Sequence, residues 1–145
     1  MRLNRSTDIG LRVLMLAAAR PEDLLTIDGL ASAVVVPRSH LAKVVQRLQH
    51  RGLLETVRGR NGGVRLATGA AGASIGGLVR ELEGSSEVVD CDGEPGCPLS
   101  GGCRLRGALR VAQEAFYASL DHITVGDLAA PPVRQVLLTL GRPPV

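Results

Sequence analysis

Aromatic residues are nearly absent from this chain of 145 residues, which contains one Phe, one Tyr and no Trp. A core without aromatic rings has to be built from Leu, Val, Ala and Ile side chains. A chain of this length buries roughly 68–70% of the surface that it exposes when unfolded, so it needs no disulfide to fold. The length fits one domain, or a small domain with an appendage.

Long apolar runs are missing as well. The run nearest the N-terminus, VLMLAAA at residues 13–19, is short for the apolar segment of a signal peptide, and no run approaches the roughly 20 residues of a membrane helix. We therefore expect a cytoplasmic protein with no membrane partner, in a compartment where thiols stay reduced. The sequence also lacks a Ser/His/Asp set, a phosphate-binding loop and a dinucleotide fingerprint, and we predict that it is not an enzyme.

Lysine is scarce, and sixteen of the seventeen basic side chains are Arg. The charges are unevenly placed: residues 1–68 carry eleven basic and five acidic side chains, whereas residues 69–145 carry six basic and nine acidic ones. A basic front half indicates a polyanionic partner, and Arg suits bidentate contacts with phosphate and guanine. A codon bias toward Arg would explain the composition without a partner.

Helical periodicity predicts three helices in the front half. The first starts at a cap of Ser6 or Thr7 and runs to about Arg20, a short second helix follows Thr26, and the third spans residues 37–51. The third helix has one clean apolar face. That face consists of Leu41, Val44, Val45 and Leu48.

A β-hairpin is predicted directly after the third helix. Two β-prone runs, residues 53–58 and 64–67, flank a glycine-rich tip. Three helices followed by a hairpin is the order of a winged helix. The predicted fold class is mainly α with a small β-hairpin wing: a winged helix-turn-helix DNA-binding domain at residues 1–68, plus a long dimerisation helix.

The predicted recognition helix and wing carry most of the positive charge. Between Arg38 and Arg65 there are seven basic side chains and one acidic one, and neutralising DNA phosphates needs such a surface. Bases are read by side chains near the start of a recognition helix, and an Arg/Gly hairpin tip can enter a narrow minor groove. A solvated basic face is the alternative, but the helix-turn-helix order favours DNA. The predicted DNA-binding residues are Arg38, Ser39, His40, Lys43, Arg47, Arg58, Arg60 and Asn61.

The rest of the chain divides into four predicted segments. Residues 69–87 form a linker and connecting helix, residues 88–103 a cysteine-bearing loop, residues 104–122 a dimerisation helix, and residues 123–145 a C-terminal helix and tail. The long helix has a continuous apolar stripe and little chain left to cover it. Either it pairs with a copy of itself or it packs back on its own domain.

All three cysteines stand in one Gly- and Pro-rich loop, CDGEPGCPLSGGC, at Cys91, Cys97 and Cys103. An odd number argues against a disulfide framework, and gaps of five residues fit neither zinc fingers nor C-x-x-C redox motifs. Neighbouring acidic side chains would raise the pKa of the thiols, so strong nucleophilicity is not expected. Such a loop can wrap a compact guest, and cysteine thiolates hold iron–sulfur clusters.

Three thiolates leave one coordination position of the cluster unfilled. A residue other than Cys, or an exogenous ligand, would occupy it. A hard oxygen ligand there would be more labile than a thiolate and would make the cluster a reactive centre. Two alternatives stay open on the residues alone. One is a zinc site completed by His122 or a carboxylate, and the other is three thiols without a ligand.

Five stretches of the sequence carry a family resemblance: MRLNRSTDIGLRVLMLAA, PRSHLAKVVQRLQHRGLLE, VRGRNGGVRLA, LVRELEG and the loop VDC…C…C. Together they resemble the winged-helix family of iron–sulfur transcription regulators that contains NsrR and IscR. The resemblance covers essentially the whole chain, and its most specific part is EVVDCDGEPGCPLSGGCRLRGALRVAQEAFYASLD. Within the family, the chain looks most like the NsrR-like repressors, which sense nitric oxide.

This resemblance implies a homodimer with one iron–sulfur cluster in each subunit. In the similar type, a 4Fe–4S cluster is held by three cysteines, here Cys91, Cys97 and Cys103, and by an aspartate of the partner subunit, here Asp8. Without the resemblance, Asp8 is only a favourable charge in the first turn of a helix. The IscR type completes a 2Fe–2S cluster with a histidine three residues after the third cysteine. That position is Arg106 here, which favours 4Fe–4S, although 2Fe–2S remains possible.

The implied function is repression that nitric oxide relieves. The cluster-bearing dimer would bind a palindromic DNA operator, and nitrosylation of the cluster would abolish binding. Three alternatives are a regulator of the same fold that senses cluster or iron status or redox state, a zinc-bound winged-helix regulator, and a small electron carrier. An electron carrier would not account for the seven basic side chains between Arg38 and Arg65.

Overall fold

A computed structural model describes residues 1–141 of the protein. Residues 142–145, which belong to the predicted tail, lie outside the described residues. The prediction of a mainly α fold with a β-hairpin wing is confirmed. The elements in chain order are α1 (Arg5–Ala19), α2 (Ile27–Val34), α3 (Arg38–His50), β1 (Leu54–Val57), β2 (Gly63–Leu66), a 3-10 turn (Ala70–Gly72), α4 (Ile75–Glu83), α5 (Arg104–Ser119), α6 (Val125–Leu128) and α7 (Val133–Thr139).

Helix α1 lies at the centre of the fold and contacts α2, α3, α4, α6 and α7. Its apolar residues recur at helical spacing and are buried on several sides, as the sequence of small and aliphatic residues allows. The predicted cap at Ser6 or Thr7 is wrong. The helix begins at Arg5 after Asn4, and Thr7 is fully buried within it. The cause is tertiary: the backbone N–H of Asn4 donates to Glu83 Oε1 at 2.9 Å, which anchors the start of the helix.

Helices α2 and α3 form a tight helix-turn-helix. The hydroxyl of Thr26 accepts a hydrogen bond from the backbone N–H of Gly29 at 3.0 Å and caps α2. Val35 then adopts a φ of 55°, a left-handed conformation that β-branched residues rarely take. Pro37 begins α3 from the N-cap position, where its missing N–H costs nothing.

The wing is an antiparallel hairpin in which Leu54 pairs with Leu66 and Val57 pairs with Gly63. A bridge between Leu25 and Val64 attaches the hairpin to the segment before α2. Its tip depends on Gly62, because a Cβ atom there would lie 2.9 Å from the carbonyl oxygen of Gly59. The tip therefore projects as a fixed loop from a tethered base.

The back half of the chain returns to the front half. The predicted linker pairs with the segment before α6, since the N–H of Ile75 donates to the carbonyl of Ile123 at 2.8 Å. Arg20 at the end of α1 donates to the carbonyl groups of Leu137 and Leu138 at 3.0 and 2.9 Å, and holds the C-terminal turn of α7. Helix α7, which the sequence did not predict, is thereby packed against α1.

Helix α5 packs back on its own domain along one side, and its pairing with a second copy stays a prediction. It packs against α4, and Tyr117 is its one buried residue. Much of the remaining surface of α5 is exposed and includes Leu105, Val111 and Phe116. None of the helices in the described residues is both long and apolar enough to span a membrane.

Candidate DNA-binding surface and cysteine loop

The start of α3 presents predicted DNA-binding residues to solvent. Arg38, Ser39 and Lys43 are exposed, and His40 is half-buried. The Nε of Arg38 donates to Asp28 at 2.7 Å, but the side chains are 66% and 74% exposed, so the pair is weak and exchangeable. Ser39, His40 and Lys43 face a cleft of about 400 Å³. It is lined by Ser6, Ser39, His40, Lys43, Val44 and Arg47.

Arg47 differs from the other predicted DNA-binding residues of α3. It is half-buried, and its Nη2 donates to the backbone carbonyl of Leu82 in α4 at 2.6 Å. The sequence offered no sign of this bond, because it joins residues 35 positions apart. Arg47 therefore connects the recognition helix to the interior.

The wing tip presents three further predicted contacts. Arg58, Arg60 and Asn61 are exposed, and within residues 1–141 no side-chain hydrogen bond or ion pair engages them. At the base of the wing, Arg65 pairs with Glu55 at 2.6 Å across the two strands. That pair neutralises the one acid of the basic module and leaves the charge of the tip available to a polyanion.

The cysteine loop holds three free thiols, and each cysteine is half-buried. The N–H of Cys97 donates to the carbonyl of Cys91 at 3.0 Å, so the loop folds back on itself, and Cys103 is the N-cap of α5. Burial raises the pKa of the Cys91 thiol, and the charge of Arg106 lowers it. The charges of Cys97, Cys103 and Glu87 raise this pKa further. The thiols thus share one neighbourhood, and the acid that acts on Cys91 is Glu87.

Arg106 closes the loop at its base. Its Nε donates to Glu87 at 2.7 Å and its Nη2 donates to Asp92 at 2.6 Å, which joins the segments on both sides of Cys91. Hydrogen bonding from Arg106 lowers the pKa of Glu87, and the two carboxylates raise the pKa of Arg106. The sequence did not predict this clamp, because no local spacing brings residues 87, 92 and 106 together.

The donor chemistry of the loop fits an iron–sulfur cluster. Across residues 1–141, no three His, Cys, Asp or Glu side chains converge closely enough to hold a single metal ion. The loop nevertheless gathers three reduced thiols, the ligand type that such clusters require. His122, the candidate zinc ligand, lies near Asp127. Hydrogen bonds from Thr124 lower the pKa of Asp127, and the charge of His122 lowers it by a smaller amount.

Asp8 lies in the first turn of α1, and its carboxylate pairs with Arg12 at 2.9 Å. It is about half exposed, beside a surface hollow at the N-terminus. In the part of the chain that the structure describes, no hydrogen bond or ion pair joins Asp8 to the cysteine loop. Within the described residues, Asp8 and the cysteines also form no metal-holding group in one subunit.

A winged helix-turn-helix with a basic recognition helix and wing defines a DNA-binding transcription regulator. The model of the Rrf2 family, described as an iron-dependent transcriptional regulator, matches residues 3–131. The chain belongs to the Rrf2 family, and it is not an enzyme. This confirms the resemblance drawn from the sequence.

Individual relatives agree with the family. Over 142 residues, the chain is 55% identical to the HTH-type transcriptional repressor NsrR of Streptomyces coelicolor, covering 97% of this chain and 96% of the relative. It is 44% identical to the HTH-type transcriptional regulator NsrR of Geobacillus kaustophilus, covering 88% and 89%. Among solved structures, CymR (YrzC), the global cysteine regulator of B. subtilis, is 26% identical with a TM-score of 0.66, covering 89% of this chain and 96% of that one.

Proposed function

We propose that this protein is a transcriptional repressor that carries an iron–sulfur cluster and senses nitric oxide. The observation that carries the proposal is the loop of three free, half-buried thiols in a chain with a winged-helix DNA-binding surface. The 55% identity to a repressor named NsrR supports the repressor role. Nitric oxide is the signal implied by the resemblance to NsrR-like repressors.

Cys91, Cys97 and Cys103 would hold a 4Fe–4S cluster, and Asp8 of the partner subunit would supply the fourth ligand. The bound cluster would offer iron that reacts with nitric oxide. An oxygen ligand is bound more weakly to such iron than a thiolate, so Asp8 is the ligand released most readily. Its release would free the first turn of α1, whose N-cap Asn4 is bonded to Glu83 at the end of α4.

The DNA contacts are assigned to the exposed residues of α3 and of the wing tip. Arg38, Ser39, His40 and Lys43 would read and neutralise a major groove, and the wing tip would contact the backbone or the minor groove. In a two-fold dimer, two recognition helices would enter successive major grooves roughly 34–36 Å apart, which requires a palindromic operator.

A homodimer is supported by the uncovered face of α5. Leu105 is 63% exposed and Val111 is 72% exposed on a helix that the rest of the chain covers on one side only. Large apolar side chains left exposed along one helix favour an interaction surface. We accordingly assign DNA binding to residues 1–68, connection to residues 69–87, cluster binding to residues 88–103, dimerisation to residues 104–122, and the C-terminal helices and tail to residues 123–145.

A second candidate is a regulator of the same fold that responds to cluster or iron status. The description of the Rrf2 family model as iron-dependent favours it. It shares the cluster ligands and the DNA surface with the first proposal and differs only in the signal. The two candidates predict different triggers for the loss of DNA binding. The first requires nitric oxide, and the second requires loss of the cluster.

The experiment is anaerobic purification with iron and sulfide counts, followed by a nitric oxide titration on DNA. We expect about four irons and four sulfides per chain, broad visible absorption, and loss of operator binding as nitric oxide bleaches that absorption. Cys97→Ser should lose the cluster, whereas Ser100→Ala in the same loop should keep it. A colourless wild-type protein with one zinc, or DNA binding that survives nitrosylation, would disprove the proposal.

A further inference from the structure

The last turn of α4, residues 81–83, touches both DNA-side helices of the fold. Arg47 of α3 donates to the carbonyl of Leu82 at 2.6 Å, and Arg51, just after α3, pairs with Glu81 at 2.7 Å. Glu83 accepts a hydrogen bond from the N–H of Asn4 at 2.9 Å, at the start of α1. This turn is held by polar contacts on both sides.

Apolar packing fixes the same turn in place. Leu82 is 3% exposed and Glu83 is 8% exposed, so these two residues of the turn are part of the interior. A Cβ atom at Gly10 of α1 would lie 3.7 Å from Leu48 of α3 and 3.9 Å from Leu82, so three helices meet closely there. A dense contact of this kind transmits a shift instead of absorbing it.

The chain leads from this turn directly into the cysteine loop. Gly84 ends α4 with a positive φ of 67°, a backbone conformation that favours glycine. The carbonyl of Ser86 then accepts a hydrogen bond from Gln113 at 2.7 Å, and Glu87 is held by Arg106. The segment between α4 and Cys91 is therefore short and anchored at Ser86 and Glu87, so it links the end of α4 to the cysteine loop.

We propose that Arg47 is a positioning residue, which couples the state of the cysteine loop to the placement of recognition helix α3 through the carbonyl of Leu82. This inference rests on the proposed function. A charged donor bonded to a half-buried carbonyl is a strong and directional link. Arg47 thus acts on DNA binding through α3, while Lys43, one turn earlier and exposed, is available to phosphate.

The test compares DNA affinity with and without the cluster. The probe is a palindromic duplex that the cluster-loaded wild-type protein selects from a random-sequence pool. For wild type and Arg47→Met, Kd is measured for cluster-loaded and cluster-free protein over a range of salt concentrations. Arg47→Met should shrink the ratio of the two Kd values by at least about five-fold, the lower end of typical coupling between sites. The slope of log Kd against log salt should not change, since no phosphate contact is lost.

Lys43→Met is the matched control on the same helix. It should reduce the salt slope by about 0.9, which corresponds to one phosphate contact, and leave the ratio of the two Kd values unchanged. Should Arg47→Met instead behave like Lys43→Met, Arg47 is a DNA contact and the inference is overturned. Should the wild-type ratio itself be one, the proposed function fails first.

A measurement on the unmodified protein covers the case in which Arg47→Met does not fold. Backbone hydrogen exchange of the C-terminal half of α3 is compared in cluster-loaded and cluster-free wild-type protein. Loosening of the bond to Leu82 should speed exchange in residues 47–51 when the cluster is removed. Equal exchange in the two states would overturn the inference.

Discussion

Asp8 makes a contact that contributes little to stability. Its carboxylate interacts favourably with the positive N-terminal end of the α1 dipole. The N–O distance of its ion pair with Arg12 is 2.9 Å. The two side chains are 46% and 58% exposed, and exposed pairs one helical turn apart contribute about 0.3–0.5 kcal/mol. A large consequence of losing this carboxylate would therefore have to come from outside the subunit.

Asp8→Ala and Arg12→Ala form a matched pair, because each removes the same ion pair and only one removes the carboxylate. Both variants should lower the free energy of unfolding of the cluster-free protein by less than about 1 kcal/mol. Asp8→Ala alone should destabilise the cluster against chelators and alter the nitric oxide response. The measurement is iron release monitored by visible absorption. If both variants release iron at the wild-type rate, the role of Asp8 as a ligand is wrong.

At the scale of single residues, the caps of α2, α4 and α6 follow from local signals, whereas the start of α1 and the long-range ion pairs do not. Thr26 caps α2, Ser74 caps α4 and Thr124 forms a capping box at α6, all through short side chains next to an apolar run. The clamp at Arg106 depends on the path of the loop. Because tertiary structure sets that path, no spacing in the sequence predicts the clamp.

At the scale of elements, α4 and α5 cross at a glycine. A Cβ atom at Gly76 would lie 2.8 Å from the backbone nitrogen of Asp121 and closer still to the Tyr117 carbonyl oxygen. At Gly77, the next residue, the closest atom would be the Cβ of Ser74 at 3.7 Å, an ordinary contact. The crossing thus requires a glycine at one position and tolerates a side chain at its neighbour.

Gly76→Ala should lower the free energy of unfolding by about 1–3 kcal/mol, because backbone atoms have to move to admit the methyl group. Gly77→Ala should be neutral or raise it by up to about 1 kcal/mol, since it restricts the unfolded chain without a clash. Denaturant unfolding of both variants checks this. Equal effects of the two substitutions would contradict the observed crossing.

An ion pair beside that crossing makes stability depend on acid. Hydrogen bonds from Arg80, at 2.6 Å for the shortest, lower the pKa of Glu114 below its usual value of 4.5. A carboxylate whose pKa is lower when folded stabilises the protein fully above 4.5 and loses that contribution as the pH falls through the lowered value. Stability should therefore decline with acid in this range.

Glu114→Gln should flatten the pH dependence of the melting temperature below pH 4.5, where the native pair is titrated. Glu22→Gln is the control, because Glu22 is exposed and no hydrogen bond or ion pair engages it within the described residues. The control should keep the wild-type slope. A wild-type slope in Glu114→Gln would show that the pair with Arg80 does not act in solution.

The elements with strong periodicity were predicted well. Helix α3 was expected at residues 37–51 and spans Arg38–His50, and α5 was expected from residue 104 and begins at Arg104. Helix α7 was missed, because it is short and its place is fixed by Arg20 and by the burial of Leu137 against α1. Short elements of this kind take their shape from packing, which periodicity does not record.

At the scale of the whole molecule, the two halves of the chain are interlocked. Helix α6 packs against α1 of the front half, and α7 returns to the end of α1. Seven of the seventeen basic side chains lie between Arg38 and Arg65, on α3, the wing and the turn between them. In the proposed function, a change at the cysteine loop would therefore act on the DNA-binding surface through packed helices and not through a free linker.

Val111→Glu tests whether α5 pairs two such molecules. Val111 is 72% exposed in the single chain, so a charge there leaves the fold intact and opposes only the burial of α5 against a second copy. Val136→Glu is the matched control, with the same substitution at a 57% exposed valine of α7. In light scattering, wild type and Val136→Glu should show about twice the chain mass of 15.2 kDa, and Val111→Glu about that mass itself. Because Asp8 would come from the partner subunit, the monomer should also lose its cluster sooner. A dimeric Val111→Glu protein with a stable cluster would place the interface elsewhere.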